Sequence, residues 1–291
     1  MRLPCWTLWK HLNRTRVESV IKVRKLTTLE GTVDRYSGVT VDVQVQISSD
    51  TSQDKFGDIL KASVKKWRTE GTAVAWLKVP IHCSRFIEAA AKEGFCFHHA
   101  EGDFCLLKLW MTGGVDATPR FATHQLGVCG VVLREDTQEL LVIQERKTQF
   151  SQMWKFPGGL ADLGENIGDA AVRETLEETG VKTEFKSVIA FRQQHEHSSA
   201  FGRSDMYVVC RLLPVSYDIV PCDREVLRCR WMPITELRDH IKTASMTHRM
   251  TTLILHGLKH GFDELDIVDE RMKSVNKGQH FTLFHRKLQI L

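Results

Sequence analysis

The chain has 291 residues, 42% apolar and 26% charged, with a formal charge of +4. This composition is that of a globular protein with length for one large or two ordinary domains, and no apolar run approaches the roughly 20 residues of a membrane-spanning helix. Residues 1–30 carry seven Lys/Arg against Glu18 and Glu30, a surplus of five, so the other 261 residues sum to −1; a near-neutral body gives no argument for a nucleic-acid groove, and neither nucleic acid nor membrane is an expected partner.

The basic segment 1–30 has no acid before Glu18, and Leu3, Trp6, Leu8, Trp9 and Leu12 alternate with Arg2, Lys10, Arg14 and Arg16. An acid-poor, Arg-bearing amphipathic start resembles a mitochondrial transit segment. Pro4 and the scarcity of serine leave a plain basic tail as an equal alternative. The expected location is cytoplasmic or mitochondrial, with the nucleus a further option. The eight cysteines form no C-x-x-C pair, so neither zinc spacing nor a disulfide framework is visible, and a reducing compartment is expected.

From residue 31 to 110 a small α/β domain is expected. "VTVDVQVQI" (39–47) alternates apolar and polar residues without fault, the pattern of a strand with one buried face. Phe56, Ile59, Leu60, Val64 and Trp67 recur at three and four, predicting a helix over 54–70 closed by Gly71. "TAVAWLKVP" reads as a buried strand. "SRFIEAAAKEG" reads as a second helix, begun by Ser84 and ended by Gly94. "FCFHHA" and "FCLLKLW" read as strands around the turn "EGD". Trp67, Trp76 and Trp110 fall in apolar patterns and are expected in the core, whereas His98 and His99 read as a solvated pair.

"MTGGVDATPR" (111–120) is the linker candidate. In the second domain, 121–262, "LGVCGVVL" and "ELLVIQE" are predicted strands joined by "REDTQ". Strand-like "EFKSVIAFRQQH", "SDMYVVCRL" and "EVLRCRWM" follow, then helices over 234–243 and 247–259. The tail, 263–291, either adds a strand or stays partly disordered.

The chemistry is concentrated in "GGLADLGENIGDAAVRETLEETGV" (158–181). A helix there carries Glu174, Glu177 and Glu178 on one face, within about a 100° arc. Like charges four apart and acids in the last turn both disfavour a helix. A cluster of carboxylates is suited to a hard cation, Mg²⁺ or Mn²⁺, which would also remove that repulsion. Gly158 and Gly159 let the backbone approach a ligand closely, and Arg173 is placed to orient a carboxylate or pair with Glu177.

This stretch resembles the Nudix box, G-x5-E-x7-R-E-U-x-E-E-x-G-U with U aliphatic. Gly159, Glu165, Arg173, Glu174, Glu177, Glu178, Gly180 and Val181 stand at the required spacings, and Thr175 replaces the first aliphatic residue. Taken alone, "RETLEETG" would be an exposed charged helix; Gly159 and Glu165 at fixed distance make that reading a poor one. The resemblance implies an α/β/α sandwich around a mixed sheet, and hydrolysis of a nucleoside diphosphate linked to another moiety. Carried over by position, it implies metal ligation by Glu177 and Glu178, with Glu174 as ligand or general base. Arg173 orients Glu174, Gly159 adds a backbone ligand and Glu165 supports the loop by bonding Arg173.

The segments "WLKVPI…SRFIEAAAKEGFCFHHAE", "MWKFPGGL" and "RQQH…SDMYVVCRL" are similar to a narrower subgroup of the same family, which includes plant members of ADP-ribose/NADH type. There the N-terminal part resembles half of an acetyltransferase-like fold. No Gly-rich acetyl-CoA loop is present here, so acetyl transfer is not assigned.

Three residues outside the box are substrate-binding candidates. Glu225 lies where such enzymes often supply one more acid, although an exposed strand residue reads equally well. Arg192, in "RQQHEH", lies near the expected substrate mouth, and Phe201 either stacks on a base or packs locally. His195 and His197 are taken as exposed residues rather than ligands. Two readings of function follow. One is a metal-dependent hydrolase of a small nucleotide such as NADH or ADP-ribose, with removal of RNA caps a weaker variant. The other is a regulatory protein, linked by the subgroup resemblance to control of proliferation, whose N-terminal domain recruits a partner. That domain could also mediate a homodimer.

Overall fold

In the computed structural model, residues 26–146, 152–196, 200–275 and 278–287 are described. Most of the basic start, Cys5 and His197 lie outside them. The chain divides into two compact units, Met1–Phe121 and Ala122–Leu291. Among the described residues no helix is long and apolar enough to cross a membrane.

The first unit runs β1 (Thr32–Val33), β2 (Gly38–Asp42), α1 (Val43–Gln46), α2 (Gln53–Thr69) and β3 (Val74–Pro80). A 3-10 turn, Ile81–Cys83, leads to α3 (Arg85–Lys92), β4 (Cys96–Glu101) and β5 (Phe104–Trp110). The sheet order is β1-β2-β3-β5-β4, with β2 and β3 parallel. The core joins Phe56, Leu60, Val64 and Trp67 of α2, Phe86 and Ala90 of α3, and Val39, Leu77 and Leu107 of the sheet.

Four expectations for this unit need correction. The strand over 39–47 ends at Asp42, whose carboxylate accepts from Gln44 N and caps the single turn α1. Val43 and Ile47, four apart on that turn, are buried while Val45 is exposed, so a helical turn satisfies part of the same alternation. Ser84 forms no side-chain cap, because the 3-10 turn already leads the chain into α3. Trp76 and Trp110 are half-buried on the face of the sheet opposite the core residues Leu77 and Leu107; only Trp67 is in the core. His98 and His99 are packed, not merely solvated. His98 Nε2 lies 2.9 Å from Pro119 O, and His99 stacks on Phe121 at 3.9 Å.

The second unit contains β6 (His124–Arg134), β7 (Glu139–Glu145), β8 (Gly158–Leu160), α4 (Ile167–Thr179), β9 (Thr183–Gln194) and β10 (Ser204–Pro214). It continues with β11 (Val226–Pro233), α5 (Ile234–Asp239), α6 (Ser245–His260), β12 (Ile267–Lys273) and β13 (His280–Arg286). The mixed sheet has the order β11-β7-β6-β10-β9-β12-β13, with β6 and β10 parallel and β8 paired to β6. Leu140, Val142 and Met232 meet α5 and α6 on one face. Val128, Leu141, Cys210 and Leu212 meet Ala170 and Ala171 of α4 on the other. This is an α/β/α sandwich.

The helix predicted over 234–243 stops at Asp239. Beyond it Lys242 O accepts from Trp154 N at 2.8 Å, and Thr243 forms a bridge with Trp154, which requires extended backbone. The tail adds two strands, since β12 continues the sheet from β9 through Ile267 opposite Val188 and turns back as β13.

Candidate active site

The box helix is built to bring two of its acids, Glu174 and Glu178, against β8. Ala170 and Ala171 are fully buried, which lets the helix lie close to the strands. Thr175, the departure from the aliphatic pattern, is also fully buried. Its hydroxyl donates to Ala171 O at 2.7 Å, so the extra polar group is satisfied within the helix. Gly180 ends the helix at φ +75°, a left-handed conformation that favours glycine. The last carbonyls are then met from the loop before β11: Cys222 N donates to Glu178 O at 3.0 Å and Val220 N to Thr179 O at 2.8 Å. That docking brings Arg224 and Glu225 to the helix.

Arg173 organises the acids. Its Nε and Nη2 donate to the two oxygens of Glu165 at 2.8 and 2.9 Å, a bidentate pair. Nη1 donates to Glu174 at 2.7 Å and Glu177 at 3.3 Å, and Nη2 also reaches Leu160 O at 3.0 Å. The guanidinium holds the Glu165 carboxyl below its usual range. Glu178 has a different environment. It is 5% exposed and accepts a hydrogen bond from Gly158 N at 2.7 Å. Burial pushes its pKa up to about 7; Lys155 and the Gly158 N–H oppose this, and Glu174 and Glu145 add to it. Glu174 is also raised, chiefly by burial and against the pull of Arg173.

Glu174 and Glu178 line a cleft of about 770 Å³ with Gly158, Gly159, Arg173, Glu145 and Glu225. The backbone of β8 forms one wall. A Cβ on Gly159 would sit 2.7 Å from the Glu174 carboxylate, so glycine is what allows backbone and acid to meet there. Glu177 is more exposed and lies outside this lining.

Arg192 and Phe201 are not among the lining residues. Arg192 is paired with buried Asp205 and lies over the Tyr207 ring, with 5.0 Å from its guanidinium carbon to the centroid. Phe201 is 96% exposed in the loop before β10. His195, exposed as expected, contacts Ser204 Oγ. Conversely, Glu145, Lys155 and Arg224 had no local signal. They come from a strand end, the approach to β8 and a loop, and become neighbours of the box only through the sheet order and loop docking.

Two family models match the chain, one described as "Nudix hydrolase domain" over residues 29–111 and one described as "NUDIX domain" over residues 123–252. The Homo sapiens protein "Nucleoside diphosphate-linked moiety X motif 6" is 45% identical over 261 residues, spanning 89% of this chain and 82% of that protein. The chain belongs to the Nudix hydrolase family. The Xenopus laevis protein of the same description is 48% identical over 205 residues, 70% of this chain and 94% of its own. "Nudix hydrolase 7" of Arabidopsis thaliana is 38% identical over 220 residues, 75% of this chain and 76% of its own. As a Nudix hydrolase the chain is a pyrophosphohydrolase, and its box lies wholly within the second matched segment.

The residues fit a divalent ion in chemistry more than in present arrangement. The available donors are carboxylate and backbone oxygens, the set that suits Mg²⁺ or Mn²⁺. A buried Glu178 with a raised pKa beside a second, half-buried acid is a site whose ionised form favours a cation. Among the described residues, however, no three such side chains converge closely enough to hold an ion as they stand. Glu174 and Glu177 are turned to Arg173, and Glu178 to Gly158 N. Holding an ion there would require these side chains to rotate away from their present partners.

Proposed function

We propose that this Nudix hydrolase cleaves, with Mg²⁺ or Mn²⁺, the pyrophosphate linkage of a nucleoside diphosphate joined to another moiety, of the NADH or ADP-ribose class that the subgroup resemblance implies. The observation that carries the reading is the cleft in which buried Glu178 and half-buried Glu174 face the glycine backbone of β8. Glu174, Glu177, Glu178 and the Gly159 carbonyl would hold the ion. When bound, the ion supplies charge neutralisation on the pyrophosphate and lowers the pKa of an attacking water.

The protein's own groups supply position. Arg173 keeps the Glu174 carboxylate at the cleft wall, and Glu165 fixes Arg173 from the other side. Arg224 stands at the cleft beside the acids, where an exposed guanidinium suits the outer phosphate oxygens. Glu225, also lining the cleft, is a candidate to hold the attacking water. The test is hydrolysis of NADH, ADP-ribose, nucleoside triphosphates and capped RNA with either metal, beside the Glu178→Gln protein. Turnover of one substrate that the substitution abolishes supports the proposal. Failure on all four, with metal still bound, would favour the regulatory reading.

A further inference from the structure

Besides Arg173 and Arg224, which line the cleft, a third cation pairs with one of its acids and belongs to neither the box nor the loop before β11. Arg173 takes Glu165, Glu174 and Glu177. Glu145 and Glu178 line the same cleft without bonding to Arg173, and Glu145 pairs instead with Lys155. Its backbone is pinned opposite Ile143 by a pair of hydrogen bonds, Ile143 N to Lys155 O at 2.9 Å and Lys155 N to Ile143 O at 3.0 Å. Glu145, two residues on from Ile143, points to the same side of β7. The Lys155 Nζ donates to Glu145 Oε1 with both side chains about one-third exposed.

Five acids, Glu145, Asp162, Glu174, Glu178 and Glu225, line one cleft, and with Glu178 almost fully buried they need a counter-charge when no ion is bound. The guanidinium of Arg173 is committed by five hydrogen bonds. Lys155 carries a compact charge on a flexible stem, which can supply that counter-charge and then withdraw. We propose that Lys155 is the built-in counter-cation of the metal site: paired with Glu145 on the cleft, it offsets the charge of the cleft's carboxylates in the metal-free protein and competes with a divalent ion there. The inference rests on the metal-dependent reading above. Lys155 is accordingly a positioning residue that sets metal affinity, and the metal-free fold stays intact at the cost of weaker binding.

The experiment uses the full chain without substrate. Mg²⁺ and Mn²⁺ are titrated calorimetrically into the unsubstituted protein, Lys155→Met and Lys155→Arg, with melting recorded in chelator. Lys155→Met is expected to bind the ion on the order of tenfold more tightly, the scale of a nearby like charge removed, and to melt lower in chelator. Lys155→Arg keeps the charge and is expected to follow the unsubstituted protein. Lys155→Gln carries the same expectation as Met should the latter not fold. Equal or weaker metal binding in the neutral variants would overturn the inference, as would Met and Arg behaving alike, which would point to packing instead of charge. If the unsubstituted protein binds neither metal, the metal reading fails and takes this inference with it.

Discussion

Glu178 ties stability to pH through a single buried side chain. Its pKa is about 7 in the folded protein against an ordinary 4.5, so the folded state holds the proton more tightly than the unfolded one. For a carboxyl shifted in that direction, the favourable contribution is present at low pH and is lost as pH rises from about 4.5 to about 7. The loss approaches about 3 kcal/mol above that range, on the order-of-magnitude scale of a shift this size. In chelator, the melting temperature of the unsubstituted protein relative to Glu178→Gln is expected to fall between pH 5 and pH 8, and saturating Mg²⁺ to flatten the difference. Parallel curves would mean that Glu178 ionises without penalty. At Arg173 the expectation differs in kind. Arg173→Ala leaves Glu165 and Glu174 partly buried without their partner, a loss of about 2–4 kcal/mol after allowing for partial exposure, readable by urea denaturation. Lys at this position keeps the charge but not the fork, so its stability is expected to fall between the two and its kcat nearer to Ala.

At the level of elements, the turn into β8 separates two glycines that look interchangeable in "FPGGL". A Cβ on Gly158 would overlap the carbonyl oxygen of Val128 and the backbone of Cys129, which belong to the paired strand β6 and cannot give way. A Cβ on Gly159 meets only the end of the Glu174 side chain. Gly158→Ala is therefore expected to destabilise the fold by about 2 kcal/mol or more. Gly159→Ala is expected to leave melting within a few degrees while lowering kcat by at least about tenfold, because it moves a carboxylate. A common loss of stability in both would refute that division. The spacing of Gly159, Glu165, Arg173, Glu174 and Glu178 was legible in the sequence because one helix and one turn carry them, and local geometry places such residues relative to each other. Glu145, Lys155 and Arg224 were not, since their approach depends on the Ile143–Lys155 bridge and on a loop hooked to the helix end. The strand read over 39–47 failed for another reason: a period of two is also compatible with a capped turn when Asp42 can bond the following backbone.

At the scale of the molecule, the two units divide the candidate functions between them. Each has its own core, Phe56, Trp67 and Phe86 in the first and two layers around the mixed sheet in the second. Every residue of the box, the cleft and the Lys155–Glu145 pair belongs to the second. The first offers no counterpart of the box in its sequence, but it presents Trp76 and Trp110 half-buried on the sheet face away from its helices, with the buried Trp110 Nε1 lacking a hydrogen-bond partner among the described residues. If catalysis is the protein's work, residues 122–291 expressed alone should fold cooperatively and keep kcat within about threefold, because a domain with its own core can fold by itself. KM is expected to change only where the first unit touches substrate, so kcat and KM are measured separately on the substrate that the full chain turns over. A fragment that folds, binds metal and has lost kcat by more than about tenfold would place part of the catalytic requirement in residues 1–121, and the regulatory reading would then gain the first unit as its working part.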